Sequence, residues 1–167
     1  GGSARRTLNA ASENPGTFTN TSDSWVAATI AVHPANAAPT VTSFSDSPDP
    51  VTSGNTITFT LDWNDTDVGE QVKVHFCKTN TITASATGGA CPGGTWASSA
   101  ALTTTDPKTE PFTAQAADAP TLTYYAFVCD ARAACSGTTG NSGTVTVNRA
   151  PTITTFSDSP DPVDAGS

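Results

Sequence analysis

The sequence predicts an all-β protein: an antiparallel two-sheet sandwich of about seven strands, with partial β segments at both ends. Three observations predict it. Thr56 to Trp63 alternates without a break, Ile57, Phe59, Leu61 and Trp63 on one face and Thr58, Thr60 and Asp62 on the other, which is the period-2 signature of a half-buried strand. Runs of this kind are punctuated by Gly, Pro, Asp and Asn clusters, and helical periodicity is nearly absent. Charged residues make up only 13% of the chain, about half the usual share, and the Thr and Ser that replace them include a strand-favouring type.

Each element follows in order. Val41 to Phe44 reads as a first strand, broken by Pro48 and Pro50 as edge strands tolerate. Thr56 to Trp63 is the second. Gln71 to Cys77 places Val72, Val74 and Phe76 on one face and His75 on the opposite, polar face. Ala100 to Thr104 and Phe112 to Ala114 are shorter candidates, with residues 84–95 and 105–111 as loop and turn. Leu122 to Cys129 (LTYYAFVC) is apolar enough for a central strand, and Thr144 to Asn148 brings Val145 and Val147 together as a last one. Upstream, Thr7 to Ala10, Thr17 to Asn20 and Trp25 to Val32 read as further strands.

The chain also repeats itself. Residues 38–55 (APTVTSFSDSPDPVTSGN) and 150–167 (APTITTFSDSPDPVDAGS) align at an offset of 112 with 13 of 18 positions identical. One module therefore spans 38–149, and 150–167 reads as the first strand of a second copy. Residues 1–37 do not match and read as the C-terminal strands of a preceding β domain plus a linker; some thirty residues cannot enclose a sandwich core alone. Repetition of this kind belongs to structural and adhesive arrays more than to catalysts.

A net charge of −8 disfavours nucleic acid and anionic lipid as partners. The sequence holds no run of about 18 apolar residues, so nothing in it reads as a membrane-spanning helix. The four cysteines, Cys77, Cys91, Cys129 and Cys135, include no C-x-x-C pair, which argues against a zinc ribbon or thioredoxin-like chemistry. An even count in an acidic β chain favours two disulfides and an oxidising compartment. The local pairing Cys77–Cys91 with Cys129–Cys135 would pin two Gly- or Ala-rich loops; Cys77–Cys129 across neighbouring strands is the alternative.

An aromatic strand ending in Trp63, an acidic turn, the strand VKVHFC, and YYAFVCDARAACSG followed by GTVTVN together resemble the fibronectin type III and immunoglobulin-like (Ig-like) modules of bacterial surface proteins. The opening APTVTSFSDSPDPVTSGNTITFTLDWNDTD is similar to the first strands of polycystic-kidney-disease-type modules. The resemblance covers residues 38–149 and implies an Ig-like sandwich in an extracellular array, with calcium stiffening the junctions. The cysteines depart from antibody-type domains, since none lies on Thr56 to Trp63.

The acidic turn is the foremost candidate site. Asp62, Asn64, Asp65, Asp67 and Glu70 supply the alternate oxygen ligands that calcium wants; the competing reading is a solvated turn held by its own Asx hydrogen bonds. Asp46 and Asp49 are expected at the same end. Trp96, in PGGTWASS, either stacks on a sugar or covers the core beside Cys91. His33 and His75 have no nucleophile context, and no G-x-S-x-G or phosphate loop occurs, so an enzyme is not expected. The expected role is a structural module of a secreted or cell-surface repeat protein, forming an extracellular filament or stalk with copies of itself or neighbouring modules as partners. The alternatives are an adhesin or carbohydrate-binding module that meets a glycan or receptor, and an accessory module of an extracellular hydrolase.

Overall fold

Alternation in the sequence becomes alternation in burial. In the computed structural model, which describes residues 35–138 and 141–157, Ile57, Phe59 and Leu61 of strand β3 (Thr56–Asn64) are fully buried while Thr56 and Thr58 face solvent. Eight strands are present among the described residues: β1 (Thr40–Ser47), β2 (Val51–Thr52), β3, β4 (Val72–Cys77), β5 (Thr95–Ser98), β6 (Lys108–Thr113), β7 (Thr121–Asp130) and β8 (Ser142–Asn148). They form an all-β sandwich of a three-stranded sheet, β1-β3-β6, and a five-stranded sheet, β2-β8-β7-β4-β5. The strand expectations for residues 1–34, and residues 158–167 of the second copy, lie outside the described residues.

The two sheets meet at an aromatic cluster. Phe59 of β3 stacks on Phe76 of β4 at 4.8 Å between ring centroids, and Tyr124 of β7 lies 4.8 Å from Phe59. Phe44 of β1 meets Tyr124 edge-on. The Tyr124 hydroxyl donates to Asp46 Oδ2 at 2.8 Å, tying β7 to β1 across the sandwich. A Cβ on Gly143, the partner of Tyr124 in the β7–β8 ladder, would sit 2.4 Å from the Tyr124 ring, so only glycine leaves room for it.

Several expectations are corrected. The sandwich is not wholly antiparallel: β2 pairs in parallel with β8, through Val51 and Val147. The sequence Ser47-Pro48-Asp49-Pro50 lets one edge segment leave β3 and cross to the other sheet, and Asp49 Oδ1 accepts the Thr146 N–H at 2.8 Å to seat it there. Ala100 to Thr104 is not a strand. The chain after β5 continues along the edge of β4, but the Ser99 hydroxyl takes the Val74 N–H at 2.8 Å and interrupts the ladder, which resumes only as the Val72–Thr103 bridge. Lys108 to Pro111, expected as a turn, lies in β6. That is an edge strand, where Pro111 is tolerated, and Lys108 and Glu110 pair across 3.1 Å on it. Residues 151–157 form no strand. Ile153 and Phe156 stand 86% and 90% exposed, whereas Val41 and Phe44, their counterparts at the repeat offset, pack on the core.

β4 is buried on both faces. His75 is only 2% exposed rather than facing solvent. The Gly-rich loop folds over the outer face of the five-stranded sheet, and His75 Nε2 donates to the Gly88 carbonyl at 2.7 Å. Its partner can only accept, which fixes the proton on Nε2. Burial lowers the His75 pKa, the Gly88 bond opposes this, and Lys73 adds to it. Gly89 has φ +74, and a Cβ there would meet Cys129 Sγ at 2.7 Å, so the loop lies directly against the sheet.

The Tyr124–Asp46 clasp generates a prediction. Burial first, then the bond to Asp46, raises the Tyr124 pKa above the ordinary tyrosine range. The fold holds a proton that the unfolded chain releases, so this contribution is full below about pH 10 and is lost as pH rises further. Tyr124→Phe should lower stability at neutral pH by about 1–3 kcal/mol, since Asp46 loses its partner. It should also flatten the alkaline limb of a urea-unfolding pH series.

Candidate functional site: an acidic corner at one pole

The acidic turn lies between β3 and β4. Asp65 Oδ1 accepts the Asp67 N–H at 2.9 Å, and the Glu70 N–H donates to the Asp67 carbonyl at 3.1 Å. These bonds wind the segment tightly enough that ligand atoms of Asp65, Asp67 and Glu70 all lie within 4.8 Å of one another. Asp62 is not among the carboxylates of this group, and Asn64 ends β3. Asp62 sits on β3 and accepts the Ser43 hydroxyl from β1, and the Asn64 carbonyl accepts the Thr40 hydroxyl at 3.2 Å. Asp46 and Asp49 lie towards the opposite pole, because β1 runs antiparallel to β3 and Asp46 pairs with Phe59, not with the turn.

Two further segments reach the corner. From the linker before β1, Asn36 Nδ2 donates to Asp130 Oδ2 at 2.7 Å, and the Ala37 N–H donates to Asp67 Oδ2 at 2.9 Å. From the loop after β7, Arg132 Nε lies 3.3 Å from Glu70 Oε1. Asp130 Oδ1 accepts the N–H groups of Arg132 and Ala134 at 2.7 and 2.8 Å, which shapes that loop. Sequence reasoning missed Asn36, Asp130 and Arg132, because all three are remote in sequence from the turn. One signal was present: at the repeat offset, Asn36 recurs as Asn148.

The corner carries more negative charge than it neutralises. Asp65, Asp67, Glu70 and Asp130 face one guanidinium, that of Arg132. Burial pushes the Glu70 carboxyl above the ordinary glutamate range against the opposing pull of Arg132; the charges of Asp130, Asp65 and Asp67 push the same way as burial. Among the described residues, three buried oxygens have no hydrogen-bond partner: Asn36 Oδ1, Asp65 Oδ2 and Glu70 Oε2. Each such orphan costs about 1–3 kcal/mol, more where it is charged.

The remaining candidates are structural in their surroundings. Trp96 packs against the core, edge-on to Phe112 at 5.2 Å, and bridges the seam between β5 and β6. Its Nε1 donates to the Thr123 carbonyl at 2.8 Å, beyond the end of β4, and Lys78 Nζ sits 4.0 Å above its ring. The indole is thus engaged by a cation, an aromatic edge and a carbonyl. Cys77 joins Cys91, and Cys129 joins Cys135. The first bond holds the Gly-rich loop down on the sheet, and the second closes the loop that presents Asp130 and Arg132. Two such bonds belong to an oxidising environment. No helix among the described residues is long and apolar enough to cross a membrane.

No family model, curated protein or solved structure matches this chain.

The disulfides span 14 and 6 residues. Loop-closure entropy assigns them about 3 and about 2 kcal/mol respectively. Replacing Cys77 and Cys91 together by Ala should therefore lower the urea-unfolding free energy more than replacing Cys129 and Cys135 together. Non-reducing peptide mapping of the unaltered protein should yield both crosslinked peptides and no free thiol.

Proposed function

We propose that this chain is part of a secreted or cell-surface repeat protein, and that the 40–148 sandwich is a structural module of an extracellular filament or stalk. Its partners are neighbouring modules and copies of itself, and its role is to space and transmit force, not to catalyse. The observation that carries this reading is the placement of the two connections. The linker residues Asn36 and Ala37 lie at the pole of the β3–β4 turn. The chain leaves β8 at the other pole, where Thr146 pairs with Thr121 at the start of β7 and Arg149 Nε donates to the Ala116 carbonyl at 2.8 Å. A module entered at one pole and left at the other strings end to end, and the repeat at an offset of 112 supplies the next bead. The resemblance to Ig-like modules of bacterial surface proteins supports the same reading.

The topology suits tension. β2 and β8 both run from the linker pole to the exit pole and pair in parallel. A pull on the linker draws β2, through β1, towards one pole, while a pull on the exit draws β8 towards the other. The bonds between them, such as the Ser53 N–H to the Asn148 carbonyl at 2.9 Å, are then sheared together instead of opened singly.

Single-molecule pulling tests this. Each module should open as one cooperative event at a force that Ser53→Pro, which removes that donor, lowers. The disulfides hide 14 and 6 residues from extension across Cα separations of 5.4 and 4.0 Å. Adding reductant should therefore lengthen the opening step by about 60 Å, at roughly 3.5 Å per released residue. Opening at very low force, strand by strand, would contradict a tensile role.

A further inference from the structure

We propose that successive modules dock directly, pole against pole: the Val68 turn of one copy seats in a hollow beside Arg149 of the copy before it, and Arg149 clamps the joint. This rests on the tandem reading above and names the surface through which neighbouring copies meet.

The hollow lies at the exit pole. It has a volume of about 380 Å³ and is lined by Ala119, Pro120, Val147, Asn148 and Arg149. Val147 is buried behind it, while Pro120, Asn148 and Arg149 stand exposed at its rim. Arg149 Nε donates to the Ala116 carbonyl at 2.8 Å, which holds the guanidinium against the module that it ends.

The knob lies at the linker pole. Val68 is fully exposed at the tip of the β3–β4 turn. The Glu70 N–H closes that turn on the Asp67 carbonyl at 3.1 Å, and Gly69 takes φ +81, the left-handed backbone such a turn demands after its second residue. A single exposed valine is ordinary on a protein surface. What sets this one apart is the bond made by its neighbour: Asp67 Oδ2 accepts the Ala37 N–H at 2.9 Å, so the tip is tied to the linker that enters the module.

The repeat brings knob and hollow together. At the offset of 112, Asn36 and Ala37 become Asn148 and Arg149, and Thr40, which opens β1, becomes Thr152. Only Arg149, Ala150 and Pro151 separate β8 from that position, so Asn148 and Thr152 stand at most about 14 Å apart. Seated as Ala37 is seated, Arg149 gives its N–H to the aspartate of the following turn, while its side chain stays on Ala116 of its own module. The valine one residue beyond that aspartate then faces the hollow that Arg149 itself lines.

Charge favours the same match. Asp65, Asp67, Glu70 and Asp130 share one guanidinium, that of Arg132, and the linker brings them only an alanine. In the following copy the linker position of Ala37 is held by Arg149, a second cation for the surplus of carboxylates. The two patches are different parts of one module, so the contact is heterologous and propagates as an open string instead of closing into a dimer.

The test uses the 167-residue chain continued by a copy of residues 56–149, which completes a second module at the repeat offset. Ala119→Cys in the first module and Val68→Cys in the second should crosslink under mild oxidation. The control pairs Ala119→Cys with Thr58→Cys of the second module, on the outer face of the three-stranded sheet. Tethering alone serves both pairs, so docking should make the first crosslink at least about tenfold faster. NMR relaxation should report one rotational correlation time shared by the two modules. Val68→Asp in the second module, or Arg149→Ala, should each abolish the shared tumbling; both side chains are exposed, so the modules themselves stay folded. Crosslinking no faster than the control, or independent tumbling of the unaltered modules, would overturn the docked joint. Shared tumbling that survives Arg149→Ala would overturn the clamp, and survival of Val68→Asp would overturn the knob. None of these failures touches the tandem reading, because freely jointed modules would still string end to end and resist pulling.

Discussion

The structure depends on the contact between Phe59 on one sheet and Phe76 and Tyr124 on the other. Three large rings fill the space between the sheets, and stacking at 4.8 Å leaves no room for sheets that slip or separate. Because the rings come from β3, β4 and β7, this one cluster fixes the register of the central strands against each other. The hydroxyl of Tyr124 then reaches Asp46 and draws in β1, whose entire length is otherwise at an edge. The strands outside this group are short or solvent-facing and hold their places through it.

From that core the two poles acquire different chemistry. At the exit pole, prolines and Asp49 move the β1 edge segment onto the second sheet, giving the parallel β2–β8 pair. At the linker pole, β3 and β4 end in a turn of carboxylates, and the disulfide loop after β7 brings Asp130 and Arg132 to meet them. The loops there are short and tightly bonded, yet they leave three buried oxygens unpaired. The unmet interactions are thus concentrated at the pole where the chain enters β1.

Much of the fold was legible in the sequence. The alternation in Thr56 to Trp63 and in Gln71 to Cys77 names the inward residues, because period-2 burial is a local property of a strand. Pro48 and Pro50 mark the end of β1 for an equally local reason. What was not legible is long-range. That Lys108 to Pro111 pairs with β3 depends on an edge being open for it, which no local pattern encodes. That His75 is buried depends on a loop folding back over the sheet's outer face, held by Cys91 and by two glycines that permit close approach. At the acidic corner, Asp65, Asp67 and Glu70 could be read from their spacing. Asp62 shares that spacing but accepts from Ser43 across the β1–β3 pair, and Asn36 and Asp130 arrive from segments remote in sequence.

The central claim is that the sandwich is one bead of an end-to-end array. Electron microscopy of the native protein that bears this sequence tests it most directly. The account predicts filaments or strings with a regular axial repeat of roughly 40 Å, about the length of a ten-residue strand plus its turns and linker. Isolated compact particles with no axial repeat would contradict it.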